Sequence, residues 1–160
     1  MSTQTSTAVA EWLAHAQDEP GHAWGEWRAR GVAVLPLGAR FDAVRIPEAI
    51  VHAALGTAAP REVAEYLARR LRGPVIHDGR TMGGVYYALA RPRAACRWPH
   101  ADKAAWLGAG AYLGVPRPER TQPPGTHWVV PPQADGTLCP LVPLTALVFA
   151  GWRASTEVEQ

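Results

Sequence analysis

A chain of 160 residues has the length at which one hydrophobic core is the usual solution, so a second full domain is not expected. An apolar share of 48%, with seven Trp to cover, excludes disorder throughout. The net charge of +2 is unevenly spread: residues 61–120 hold 11 basic against 5 acidic side chains, a net of +6, and both flanks are acidic.

All the basic residues are Arg except Lys103. Arg takes phosphate in bidentate fashion, whereas a GC-rich genome also raises Arg over Lys. Genome composition accounts for the bias but not for its concentration in the middle of the chain. The most apolar stretch, 138–152, is interrupted by Pro140 and Pro143 and falls short of the roughly 20 residues that a bilayer requires. The opening residues lack both a basic and an apolar region, so no secretion signal is expected and the expected location is cytoplasmic, without membrane association. Cys96 and Cys139 form no metal-ligand spacing, and both are expected to be reduced and partly buried.

In chain order, residues 1–6 are expected to be flexible. Residues 7–17 form a first helix, with Thr5, Ser6 or Thr7 as its cap and Ala8, Val9, Trp12, Leu13 and Ala16 on one face. A second helix over 23–30 sets Trp24 and Trp27 one turn apart. The glycine-bounded apolar run 31–38 and the alternating run 41–46 read as strands. Helices follow from Pro47 to Gly56 and over 60–72, each opened by Pro and closed by Gly. Residues 74–77 and 84–90 make a hairpin around a turn at Asp78, Gly79 and Arg80. The stretch 91–107 is expected to be loop with a short helix over 101–107, and strands 111–115 and 127–130 are expected to pair with each other. A helix over 141–153 precedes a frayed tail, 154–160. The expectation is one α+β domain over 7–153, with a central, mostly antiparallel or mixed sheet flanked by helices.

Three segments carry a resemblance. Gly31 to Ala39 with Phe41 to Pro47, then Thr81-Met82-Gly83-Gly84-Val85-Tyr86-Tyr87, then Gly110 to Pro118 with His127 and Trp128, resemble in order and spacing the N-terminal catalytic domain of the bifunctional DNA primase/polymerase family of bacteria and phages, within the archaeo-eukaryotic primase group. The likeness spans most of residues 31–130. It implies a primase-polymerase-like fold in a bacterial protein, with nucleic acid or nucleotide as ligand.

The departures from that family lie at its chemistry. Polymerase-type phosphoryl transfer needs clustered carboxylates to hold divalent metals. Two acids at alternate positions share a strand face, but Asp42 is followed at the alternate position by Val44. Where the resemblance implies a nucleotide-contacting histidine stand Val85 or Tyr86, and Trp106-Leu107-Gly108 offers no carboxylate. Asp42 is therefore a residual catalytic candidate at most, and a hydrogen bond to Arg40 or Arg45 is its structural alternative. A metal site is not expected.

The candidate binding set is Arg80, Arg91, Arg93, Arg117 and Arg120 for phosphates, with Tyr86, Tyr112 and Trp128 as stacking platforms and His127 beside them; Tyr87 is a further strand aromatic. The bland alternative has the aromatics in the core and the arginines solvated. Among the histidines, His77 and His127 fall on strands near the inferred cleft, while His15, His22, His52 and His100 read as surface or helix positions. Ser2, Ser6 and Ser155 lie near the termini, which leaves no Ser-His-Asp set, and Cys139 has no adjacent base.

The reading that follows is a non-catalytic primase-polymerase-like domain that binds single-stranded nucleic acid or nucleotide, accessory to DNA processing or regulation, with no cofactor. One alternative is a protein-interaction module in which Trp12, Trp24, Trp27 and Trp152 form an exposed patch for a partner or for self-association. Another is an active nucleotidyl transferase, with Mg²⁺ held by Asp42 and acids such as Asp78 or Asp102.

Overall fold

The computed structural model describes residues 3–80, 83–133 and 135–158. Among them it forms one α+β domain of helices α1 (Thr3–Ala14), α2 (Pro20–Arg30), α3 (Glu48–Leu55), α4 (Pro60–Leu71) and α5 (Leu141–Val158). The strands are β1 (Val32–Pro36), β2 (Asp42–Pro47), β3 (Val75–Asp78), β4 (Val85–Ala90), β5 (Ala105–Leu107), β6 (Tyr112–Pro116) and β7 (His127–Val130). Five of them make one sheet in the order β5-β2-β4-β3-β7, and β1 pairs with β6 in a two-stranded ribbon. Every ladder in both sheets is antiparallel.

Helix boundaries follow local chemistry. Pro20 and Pro60 open α2 and α4 at positions where a missing N–H costs nothing. Gly31 (φ 77°) and Gly56 (φ 71°) close α2 and α3 in the left-handed conformation, each donating its N–H back to the last turn. Along α4, Val63, Leu67 and Leu71 recur every four residues and are buried, which gives that helix its inward stripe.

The sheet is covered on both faces, which explains why β4 is nearly continuously apolar. Ala43, Ile76, Leu89 and Trp128 pack with Val9, Leu13 and Trp27 of α1 and α2 and with Leu35, Leu113 and Val115 of the ribbon. On the opposite face Val44, Ile46, Val75, Tyr86 and Ala88 pack against α3, α4 and α5 through Val51, Leu67, Leu144 and Val148.

Several boundaries and pairings differ from expectation. Residues 3–6 already belong to α1, so Thr5, Ser6 and Thr7 lie inside the helix rather than capping it, and Ala8 is exposed. Residues 154–158 continue α5, where the Ser155 and Thr156 hydroxyls donate to the carbonyls of Gly151 (2.8 Å) and Trp152 (3.2 Å). The helix expected over 101–107 is replaced by a turn and β5, which lies beside β2 with Trp106 opposite Val44. Strands β6 and β7 do not pair with each other. Register explains why: Leu113 and Val115 meet Leu35 and Ala33, while Trp128 meets Ile76, so each strand joins the partner whose buried residues match its own.

The expected tryptophan patch does not form. Trp27 is buried and donates its indole N–H to the Val115 carbonyl (3.0 Å), and Trp12 and Trp24 pack partly buried against the same core. Large apolar exposure lies instead on α5, at Val142, Phe149 and Trp152, and at Val34 and Tyr112 of the ribbon. Cys139 is buried, its thiol pushed up to about 12 by that burial, whereas Cys96 is exposed rather than partly buried. Among the described residues, no helix is long and apolar enough to cross a membrane.

Candidate functional site

Strand register builds a large cleft. His77 on β3 stands opposite Tyr86 on β4 and opposite His127 on β7, so the three rings form a row across neighbouring strands on the face that α3, α4 and α5 cover. The His77 ring centroid lies 4.9 Å from that of Tyr86 and 5.5 Å from that of His127. Helix α3 brings Glu48 and His52 over this row, α4 contributes Arg61 and Glu65, and Arg80 and the segment 121–125 close the sides. The cleft measures about 820 Å³, the size of pocket that encloses a small organic ligand.

Local geometry seats Glu48. It is the first residue of α3, where the helix dipole favours a carboxylate. Its N–H donates to the Gly84 carbonyl (3.2 Å), and Gly84 holds φ 66° directly beneath the carboxylate. The positive φ favours glycine at position 84, and a Cβ there would push the Glu48 carboxyl group out of its place. Residues 81 and 82 of this glycine-rich turn, Thr81 and Met82, lie outside the described residues.

The hydrogen bonds define proton positions. Glu48 Oε2 lies 3.3 Å from His77 Nε2; a carboxylate only accepts, so Nε2 carries the proton and the neutral ring keeps its lone pair on Nδ1. His127 Nδ1 lies 3.0 Å from the Gly125 carbonyl, which likewise only accepts, so its lone pair is on Nε2. Burial, reinforced by the Glu48 carboxylate, holds the Tyr86 phenol well above its ordinary value, so the phenol keeps its proton and shares a hydrogen bond with His52 Nε2 at 2.9 Å. The other nitrogen of His52 faces Glu48 Oε1 at 4.0 Å. Tyr86, His52, Glu48 and His77 thus form one connected chain.

Burial also holds His52 below its ordinary value of 6.5, with His77 adding to that effect and Glu48 opposing it. Below pH 6.5 the unfolded chain takes up a proton that folded His52 resists, so stability falls with pH from 6.5 down to the lowered folded value. Asp78 acts lower on the scale: the Arg80 side chain holds its carboxyl below 3.8, so that contribution is present above 3.8 and is lost as pH falls through the folded value. The urea midpoint is therefore expected to fall between pH 7 and pH 5.5, and His52→Gln should flatten that slope; an unchanged slope in the variant would remove His52 as its source.

The candidate residues separate into groups. Arg80, Tyr86 and His127 line the cleft together with His77. Arg80 also holds Asp78 through Nε (3.1 Å) and Nη2 (3.2 Å), yet its side chain is 66% exposed. Arg91 and Arg93 follow the far end of β4, beside Asp42; Asp42 is opposite Ala90, whereas Ile46 is opposite Tyr86, a separation of about 13 Å along β2. Arg117 lines a smaller hollow beside α1 and α2, and Arg120 donates to the Arg30 carbonyl at the end of α2 (3.5 Å). Tyr112 is 67% exposed on the ribbon. Trp128 corrects the expectation of a stacking platform: it is fully buried on the face away from the cleft and donates to the Pro116 carbonyl (2.9 Å).

Asp42 pairs with neither Arg40 nor Arg45. Its Oδ2 accepts from the Trp106 indole (2.8 Å) and the Arg93 backbone N–H (3.2 Å), so it pins β5 and the turn after β4, while Oδ1 is buried without a hydrogen-bond partner. Asp78 is held by Arg80 and Asp102 by Lys103 (3.1 Å). Among the described residues, no three His, Cys, Asp or Glu side chains converge as metal ligands would.

Sequence reasoning missed Glu48 and His52. The spacing Glu48-x-x-x-His52 on a short helix was the available signal, since residues four apart share a helix face. No family model, curated protein or solved structure matches the chain.

Proposed function

We propose that this domain binds single-stranded nucleic acid or a nucleotide in the cleft above β3, β4 and β7, on a primase-polymerase-like scaffold, as an accessory to DNA processing or its regulation. The observation that carries the reading is the register-aligned row Tyr86, His77 and His127 on the floor of an 820 Å³ cleft with Arg61 and Arg80 at its rim. Rings supply stacking surface and imidazole N–H donors, and guanidinium groups take phosphate. The resemblance of residues 31–130 to the primase/polymerase family supports the same ligand class.

Anisotropy of a labelled single-stranded oligonucleotide tests it. With two arginines meeting phosphates, log affinity is expected to fall with log salt at a slope of about −1.4. Arg80→Ala should weaken binding about tenfold, the size of one charge-assisted contact. Arg91→Ala and Arg93→Ala, at the Asp42 end, should leave affinity unchanged. Undetectable or salt-independent binding excludes the reading, and loss confined to the Arg91 and Arg93 variants moves the site to the other end of the sheet.

A second reading, self-association, is favoured by α5 rather than by the N-terminal tryptophans. Val142 (81% exposed), Ala146, Phe149 and Ala150 recur at helical spacing on one exposed face. Sedimentation equilibrium should then show a dimer that Phe149→Asp dissociates; a monomer at high concentration rejects it.

A further inference from the structure

Of the three imidazoles that line the cleft, those of His77 and His127 differ in what stands behind their available nitrogens. His127 donates from Nδ1 to the Gly125 carbonyl, a neutral partner, and has Nε2 as its base. His77 donates from Nε2 to the Glu48 carboxylate, an anionic partner, and its Nδ1 is the remaining position for a proton. Their ring centroids are 5.5 Å apart, so both can reach oxygens on one phosphorus at ordinary hydrogen-bond lengths of about 2.8 Å. Other charged or titratable groups lining the cleft are His52 on α3, Tyr86 on β4, Arg61 and Glu65 on α4, and Arg80, with Asp78 bound to Arg80 at the end of β3.

From this geometry we infer that the cleft cleaves single-stranded RNA by general acid–base catalysis, with His127 as base and His77 as acid. The inference rests on the proposed binding of nucleic acid in this cleft and names the class of substrate. A ribose beside the scissile phosphate brings its own nucleophile, and an intramolecular attack needs only one proton removed and one supplied. His127 Nε2 takes the proton of the 2′-hydroxyl, and the 2′-oxygen forms a bond to phosphorus. The bond from phosphorus to the 5′-oxygen breaks, and the leaving oxygen takes the proton from His77 Nδ1. The products are a 2′,3′-cyclic phosphate and a 5′-hydroxyl end, and proton exchange with water restores both rings. Glu48 is a positioning residue that holds the His77 ring and its tautomer, while Arg80 faces the phosphate charge.

The test uses the full chain in excess EDTA with an end-labelled oligoribonucleotide and the DNA strand of the same sequence, reading both binding and product ends. RNA should be cut to cyclic-phosphate and 5′-hydroxyl ends with a bell-shaped pH–rate profile, and the DNA should be bound but left whole. His77→Ala and His127→Ala, purified identically, should each lower the rate at least about 100-fold, and Glu48→Gln by less, with a displaced alkaline limb, the limb set by loss of the acid's proton. His77→Gln and His127→Asn serve where an alanine variant does not keep the native circular dichroism and melting profile. RNA bound but uncut, or cutting undiminished in the folded histidine variants, overturns the catalytic inference and leaves the binding reading standing. Failure of both strands to bind overturns the two together.

Discussion

Gly151→Ala is expected to lower stability by about 3 kcal/mol, near the upper end of what overpacking usually costs, and to lower Tm by about 6–12 °C. Helix propensity alone predicts the opposite sign, because alanine is favoured over glycine by about 1 kcal/mol inside a helix. The decision comes from packing. Gly151 is where α5 crosses α3, and a Cβ there would overlap the Ile50 carbonyl oxygen and stand 2.7 Å from Ile50 Cγ2 and 2.9 Å from its carbonyl carbon. Those are largely backbone atoms of a packed helix, so the helices must separate rather than a side chain swing aside. Gly25 supplies the control. It lies inside α2, and a Cβ added there would meet nothing within 4 Å, so Gly25→Ala should stabilise by up to about 1 kcal/mol. Urea unfolding of the two variants checks both signs, and stabilisation by Gly151→Ala would mean that α5 does not sit at this distance from α3.

Where the sequence carries its own punctuation, the structure follows it. Pro20 and Gly31 bracket α2, Pro60 opens α4, and the hairpin of β3 and β4 forms around Asp78, Gly79 and Arg80. The sequence does not carry the pairing of β6 and β7. A short apolar strand specifies which face is buried but not which distant strand shares it, and β6 found Ala33 and Leu35 while β7 found Ile76. Strand β5 was illegible for a related reason: three residues carry no period, and what anchors Trp106 is a tertiary hydrogen bond to Asp42.

The candidate site was legible only in parts. The strand positions of His77 and His127 already place both near one cleft, but their meeting with Tyr86 depends on the register of three strands, which no local motif encodes. Glu48 enters because α3 begins directly after β2 and because Gly84 leaves room for its carboxylate. The resemblance directed attention to Asp42, whose Oδ2 holds β5 and the Arg93 turn at the opposite end of β2. Strand periodicity also separates His127 from Trp128: adjacent residues on one strand face opposite ways, so one ring reaches the cleft and the other the core.

That alternation makes Trp128 the sharpest contrast between stability and binding. Its ring is 0% exposed, packs opposite Ile76, and sends its N–H to the Pro116 carbonyl at the end of β6, so it ties the two-stranded ribbon to the edge of the larger sheet. Trp128→Ala should cost about 3–5 kcal/mol through lost burial and the cavity left behind. Trp128→Phe keeps most of the ring contacts but leaves the Pro116 carbonyl without its donor, a cost of about 1–3 kcal/mol. Denaturant unfolding gives both values. Oligonucleotide affinity, measured where the phenylalanine variant is fully folded, should match that of the parent, because the indole lies behind the sheet from Arg80, His77 and His127. A loss of about 1–3 kcal/mol in binding by that folded variant, the size of a base-stacking contact, would return Trp128 to the ligand surface and require the sheet to present its other face.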